Sequence, residues 1–128
     1  MTQPRTTSKI VAAAAAVDLT LVLVFVLIGR RSHDEGFSVL GSLNTAWPFV
    51  AGLTIGWLAT RAWRFPRGVK NPGVVIWAST AVIGVALRAL SGQGVAVSFV
   101  IVTAIVLAVF LLGWRLIAAA VSRRRANR

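Results

Sequence analysis

The sequence predicts an all-α fold: an integral membrane bundle of four transmembrane helices with both termini on the cytoplasmic side (N-in/C-in). Three observations lead there. Fifty-seven per cent of the 128 residues are hydrophobic and the mean hydropathy is +0.80, whereas ordinary soluble domains are about 45–50% apolar. Four apolar stretches, about residues 10–28, 43–60, 73–90 and 95–117, approach or exceed the length of roughly 17–25 residues that a membrane-spanning helix needs. Lysines and arginines fall unevenly on the two sides that these stretches define.

The first stretch is broken only by Asp18 and Thr20. Arg5 and Lys9 before it would also suit a signal peptide, but the run exceeds an ordinary signal core and Leu27-Ile28-Gly29 is a poor cleavage site. The second opens with Asn44 and Thr45 as candidate N-caps and Pro48 in its first turn, where a missing N–H costs nothing. The third follows Asn71-Pro72-Gly73, a strong turn signal. Ser91-Gly92-Gln93-Gly94 then makes a tight hairpin into the fourth, whose apolar run continues to Val121 and so has length to tilt or project. The organisation is one domain: a short N-terminus (1–9), a single transmembrane unit (10–121) and a basic tail (122–128).

Orientation follows from charge. The N-terminus (Arg5, Lys9), the second loop (Arg61, Arg64, Arg67, Lys70) and the tail (Arg115, Arg123, Arg124, Arg125, Arg128) hold eleven of the 14 cations, and Arg30, Arg31 and Arg88 make up the other three. The richer side is cytoplasmic by the positive-inside rule, which places Trp63 and Trp114 at the inner interface and Trp47 at the outer one. The net charge of +11 is juxtamembrane, so the expected partner is anionic lipid, not nucleic acid.

The inventory narrows function. No cysteine is present, and His33, Asp18, Asp34 and Glu35 are too few and too scattered for a metal centre. No cofactor and no enzymatic activity is expected. Asp18, well inside the first stretch, costs about 2.5–3.5 kcal/mol to place in the bilayer. It is a proton or cation site, the acceptor of a structural hydrogen bond between helices, or an acid that simply stays protonated. Arg88 is the charge partner nearest to hand, or else it reaches out to the outer headgroups. Arg30, His33, Asn44 and Gln93 are candidate polar groups of the outer face. Gly52-x-x-x-Gly56 and Gly84 read as packing positions where backbones approach closely. Arg61, Arg64, Arg67, Lys70, Arg123, Arg124 and Arg125 read as lipid-facing basic residues.

An internal repeat is also visible. Gly56-Trp57 recurs as Gly113-Trp114 and Arg31 as Arg88, each 57 residues apart. That offset lays the first helix on the third and the second on the fourth, in the same orientation.

Phe25, Gly29-Arg30 and His33, with Trp47-Pro48-Phe49, Gly52, Gly56-Trp57, Arg61, Gly73, Trp77, Gly84, Leu87-Arg88, Gly92-x-Gly94, Phe99-Val100-Ile101-Val102 and Gly113-Trp114-Arg115, give the chain its resemblance to a family. It resembles, over about Val17 to Leu116, the small four-helix bacterial membrane proteins catalogued as domain of unknown function 3054. The resemblance implies a bacterial, largely actinobacterial, plasma-membrane protein and brings no activity with it. The expected function is an accessory, scaffolding or assembly protein, alone as a homo-oligomer or in a larger membrane complex. The alternative is a small proton, cation or solute transporter working as a parallel oligomer through Asp18.

Overall fold

A computed structural model describes residues 7–32 and 38–127. The described chain is all-helical: α1 (Ser8–Ser32), α2 (Val39–Thr60), α3 (Val75–Leu90), α4 (Val97–Leu107) and α5 (Gly113–Ala126). A π-helical segment, Ala108–Leu112, joins α4 to α5 without a break, so the two form one 30-residue rod, Val97–Ala126. Three helical stretches, Ser8–Arg30, Val69–Leu90 and Val97–Ala126, are long and apolar enough to cross a membrane. α2 is as long, at 22 residues, but Asn44, Thr45 and Pro48 dilute its apolar character.

α2 begins at Val39, earlier than the expected residue 43, because Ser38 and not Asn44 caps it. The Ser38 hydroxyl accepts from the Gly41 N–H at 2.8 Å, which satisfies one of the donors that a helix start leaves unpaired. Pro48 therefore lies in the helix interior. There it cannot donate to the Asn44 carbonyl, and Gln93 Nε2 fills that vacancy at 3.1 Å from the hairpin between α3 and α4. The hairpin itself turns on Gly92 and Gly94, with φ of +79° and +82°, a region that side chains disfavour. At the other end, Asn71 breaks the helical backbone (φ −131°, ψ 114°) ahead of Pro72 and Gly73, as the turn signal predicts.

The centre is aromatic and aliphatic. Phe49, fully buried, meets Phe25 edge-on at 5.3 Å and Phe99 at 6.1 Å between ring centroids. α2 and α3 pack most extensively. A Cβ on Gly52 would stand 2.8 Å from the Ser79 carbonyl oxygen and 3.0 Å from Thr80 Cα, and one on Gly56 would stand 3.1 Å from Ile76 Cα. Two backbones thus touch along this seam, and Ser79 Oγ donates to the Gly52 carbonyl at 2.6 Å. Gly84 plays the reciprocal part on α3, leaving room for the Phe49 ring. Large apolar side chains point outward as well. Ile101, Ile105 and Val109 follow one another along an exposed face of the last rod, an arrangement that suits hydrocarbon and not water.

Candidate functional site

Asp18 is fully buried, and four N–H donors converge on its carboxylate. Oδ1 accepts from Trp114 Nε1 at 2.8 Å and Arg115 Nη1 at 2.9 Å. Oδ2 accepts from Trp57 Nε1 at 2.8 Å and Arg115 Nη2 at 2.7 Å. An ionised carboxylate offers about four lone-pair positions, and all of them are taken. The Asp18–Arg115 pair is bidentate, the geometry in which a guanidinium binds most specifically.

Arg115 is also fully buried and ties in more of the chain. Its Nε donates to the Pro66 carbonyl at 3.0 Å and its Nη1 to the Leu111 carbonyl at 2.9 Å, while its guanidinium carbon lies 4.7 Å from the centre of the Trp114 ring. Gly73 makes way for the arginine stem, since a Cβ there would stand 3.0 Å from Arg115 Cδ. One carboxylate therefore holds α1, α2 and α5 together, and Arg115 extends the network to the connection between α2 and α3.

The sequence left open whether Arg88 pairs with Asp18 or reaches toward the outer headgroups, and Arg88 does not meet Asp18, whose four acceptor positions are filled by other donors. It lies at the opposite end, donating to the Gly94 carbonyl at 3.0 Å and to Gln93 Oε1 at 3.2 Å, with its charge 4.6 Å from the centre of the Phe99 ring. The difference in depth between Asp18 and the end of α3 is the physical reason. Arg115 and Trp114, read as tail and interface residues, turn inward instead. Asp18 lies about 18 Å along α1 from Arg30 and meets Trp57 in the last turn of α2.

The remaining candidates separate into two groups. Arg30, largely buried, donates to the Gly41 carbonyl at 3.0 Å and to Thr45 Oγ1 at 2.9 Å. With Asn44, Gln93 and Arg88 it forms a polar layer at the end opposite the termini. His33 lies outside the described residues. Near that layer a cavity of about 310 Å³ opens among Phe25, Arg30, Thr45, Phe49, Phe99 and Thr103, and Asp18 does not line it. Arg61, Arg64, Arg67 and Lys70, in the connection after α2, and Arg123, Arg124 and Arg125, at the end of α5, are exposed.

The profile of a family described as "Protein of unknown function (DUF3054)" matches residues 15–118. The chain belongs to the DUF3054 family. The matched region of this DUF3054 protein takes in Asp18, Trp57, Trp114 and Arg115 and leaves out the basic tail. The chain is also 44% identical over 64 residues to GPI ethanolamine phosphate transferase 1 of Yarrowia lipolytica (strain CLIB 122 / E 150), a match covering 46% of this chain and 7% of that protein. The DUF3054 chain thus spans a small part of the length of the curated relative it matches. No solved structure matches it.

Sequence reasoning singled out Asp18 and recorded the Gly-Trp repeat without joining them. The repeat was the signal: its two tryptophans, 57 residues apart, donate to the two oxygens of one aspartate. In the DUF3054 protein each of these bonds is charge-assisted, worth about 1.5–3 kcal/mol, against about 0.5–1.5 kcal/mol for a neutral one. Trp77, which donates to the Ala104 carbonyl at 2.9 Å, supplies the neutral comparison. Trp57→Phe and Trp114→Phe are therefore expected to lower the thermal unfolding temperature in detergent micelles more than Trp77→Phe does. Equal losses for all three would show that the carboxylate adds nothing to the tryptophan bonds.

Proposed function

We propose that this chain is a four-pass protein of the bacterial plasma membrane, with both termini cytoplasmic, that serves as an accessory or scaffolding subunit of a larger membrane assembly. α2 supplies the fourth crossing: its 22 residues rise about 33 Å, enough for a hydrocarbon core of about 30 Å. The charge asymmetry supports the orientation. With Arg115 withdrawn into the bundle, the termini and the connection after α2 still hold ten cations against three at the opposite end.

The observation that carries the functional reading is the saturation of Asp18. An acid that moves protons or cations has to exchange its ligands, whereas both oxygens here are each held by two N–H donors, and neither Asp18 nor Arg115 has exposed surface. Such a carboxylate acts as a pin between helices. Besides Asp18, which Arg115 holds, the sequence has only the adjacent acids Asp34 and Glu35 and no cysteine, and this sparse inventory favours a structural reading over an enzymatic one. The likeness to a fungal transferase covers too little of that protein to argue for its reaction.

Mild extraction from the membrane followed by native mass spectrometry tests this. The expected result is a stable complex of this chain with a larger membrane protein. Purified chain that by itself dissipates a pH gradient imposed across liposomes would overturn it in favour of transport.

A further inference from the structure

The connection between α2 and α3 folds around an open polar pocket of about 410 Å³ lined by Thr60, Arg61, Arg64, Phe65, Asn71 and Pro72. Its backbone is unusual at Arg61, which has φ 52° and ψ 52°, the one positive φ outside glycine among the described residues. Arg61 stands just past the end of α2, where its N–H closes on the Leu58 and Trp57 carbonyls. Glycine normally fills that left-handed position, and a side chain there is strained. This chain carries an arginine at a place where the backbone alone favours a residue without a side chain.

Charge and surface say what it serves. Arg61, Arg64, Arg67 and Lys70 fall within ten residues, and Arg61 and Arg64 line the pocket itself. Beside these cations the large apolar side chains of Phe65 and Trp63 are 67% and 42% exposed. Guanidinium groups fork onto phosphate oxygens, and an exposed phenylalanine at their side suits a ligand that is anionic at one end and apolar along the rest.

We infer that this pocket binds the headgroup phosphate of an anionic membrane lipid, with Arg61 at the phosphate, Arg64 and Asn71 elsewhere in the lining and the acyl chain lying along Phe65. The site rests on the membrane reading given above, and it deepens that reading by naming a discrete lipid contact within the basic face.

The test uses the purified full chain in detergent micelles supplied with phosphatidylglycerol, phosphatidylcholine or inorganic phosphate. Thermal unfolding and native mass spectrometry are the readouts. Phosphatidylglycerol is expected to raise the unfolding temperature and to remain bound, and the other two are not. Arg61→Gly removes the guanidinium while giving the backbone the residue it prefers. This variant is expected to be at least as stable as the parent without lipid, yet to bind phosphatidylglycerol about fivefold more weakly, the equivalent of one juxtamembrane charge. Arg123→Gln, which removes a tail charge that does not line the pocket, is expected to leave binding unchanged.

Full lipid binding by Arg61→Gly, an equal loss in Arg123→Gln, or equal protection by inorganic phosphate would each overturn the site. A chain that joins a larger complex but ignores phosphatidylglycerol would sink this inference and leave the accessory reading standing. Lipid binding without any complex would do the reverse.

Discussion

Asp18→Ala is expected to destabilise the protein by about 3–5 kcal/mol, the cost of breaking a buried ion pair from one side. The Arg115 guanidinium would remain buried with two donors aimed at the vacated site, and the indole N–H groups of Trp57 and Trp114 would lose their acceptor in the same step. Asp18→Asn should fare little better despite its shape. One end of the amide becomes a donor, and each carboxylate oxygen it replaces faces two donors. Arg115→Met should be comparably harmful, because it leaves a buried carboxylate with only the tryptophans and frees the Pro66 carbonyl. The double variant Asp18→Ala/Arg115→Met should lose less than the two single losses combined, since neither charge is then stranded. Unfolding by denaturing detergent, read by circular dichroism, measures all four. Single variants within about 1 kcal/mol of the parent would show that the pin does not hold the bundle, since a broken buried pair costs several times that.

Gly52→Val should produce the second large effect. The new Cβ would stand 2.8 Å from the Ser79 carbonyl oxygen and 3.0 Å from Thr80 Cα. Both obstacles belong to backbone, and no rotamer change can move them. α2 and α3 would have to separate, at the cost of about 1–3 kcal/mol typical of overpacking. The Ser79–Gly52 hydrogen bond would stretch with them. Ile55→Val, on the exposed side of the same helix, should be nearly silent. The pair separates backbone contact from a general intolerance of α2 to substitution. If Gly52→Val melts within a degree or two of the parent, the helices do not meet as closely as described.

Much of the fold was legible because hydropathy is a local property. Each stretch of apolar residues announces its helix without reference to the others, and Asn71-Pro72-Gly73 and Gly92-x-Gly94 mark turns by backbone chemistry that any context would respect. Errors arose where a local signal had a rival close by. Ser38 competed with Asn44 and Thr45 for the start of α2, and it won because its hydroxyl meets the Gly41 N–H. That moved Pro48 from a harmless position to one that needs Gln93 to repair it. The π-helical segment before Gly113 carries no periodicity distinct from the apolar residues around it and was not foreseen.

By itself, then, the sequence determined the helices, the excess of cations near the termini, and the presence of one acid where an acid is costly. It also displayed the Gly-Trp repeat. Only the tertiary structure decided what that acid meets, because its partners lie 39, 96 and 97 residues away, and a charge in sequence carries no address. Arg88 and Arg115 are equally cationic on paper. Depth in the bundle chose between them, placing Arg115 level with Asp18 and Arg88 beside the opposite hairpin, where the Gly94 carbonyl, Gln93 Oε1 and the Phe99 ring satisfy it instead.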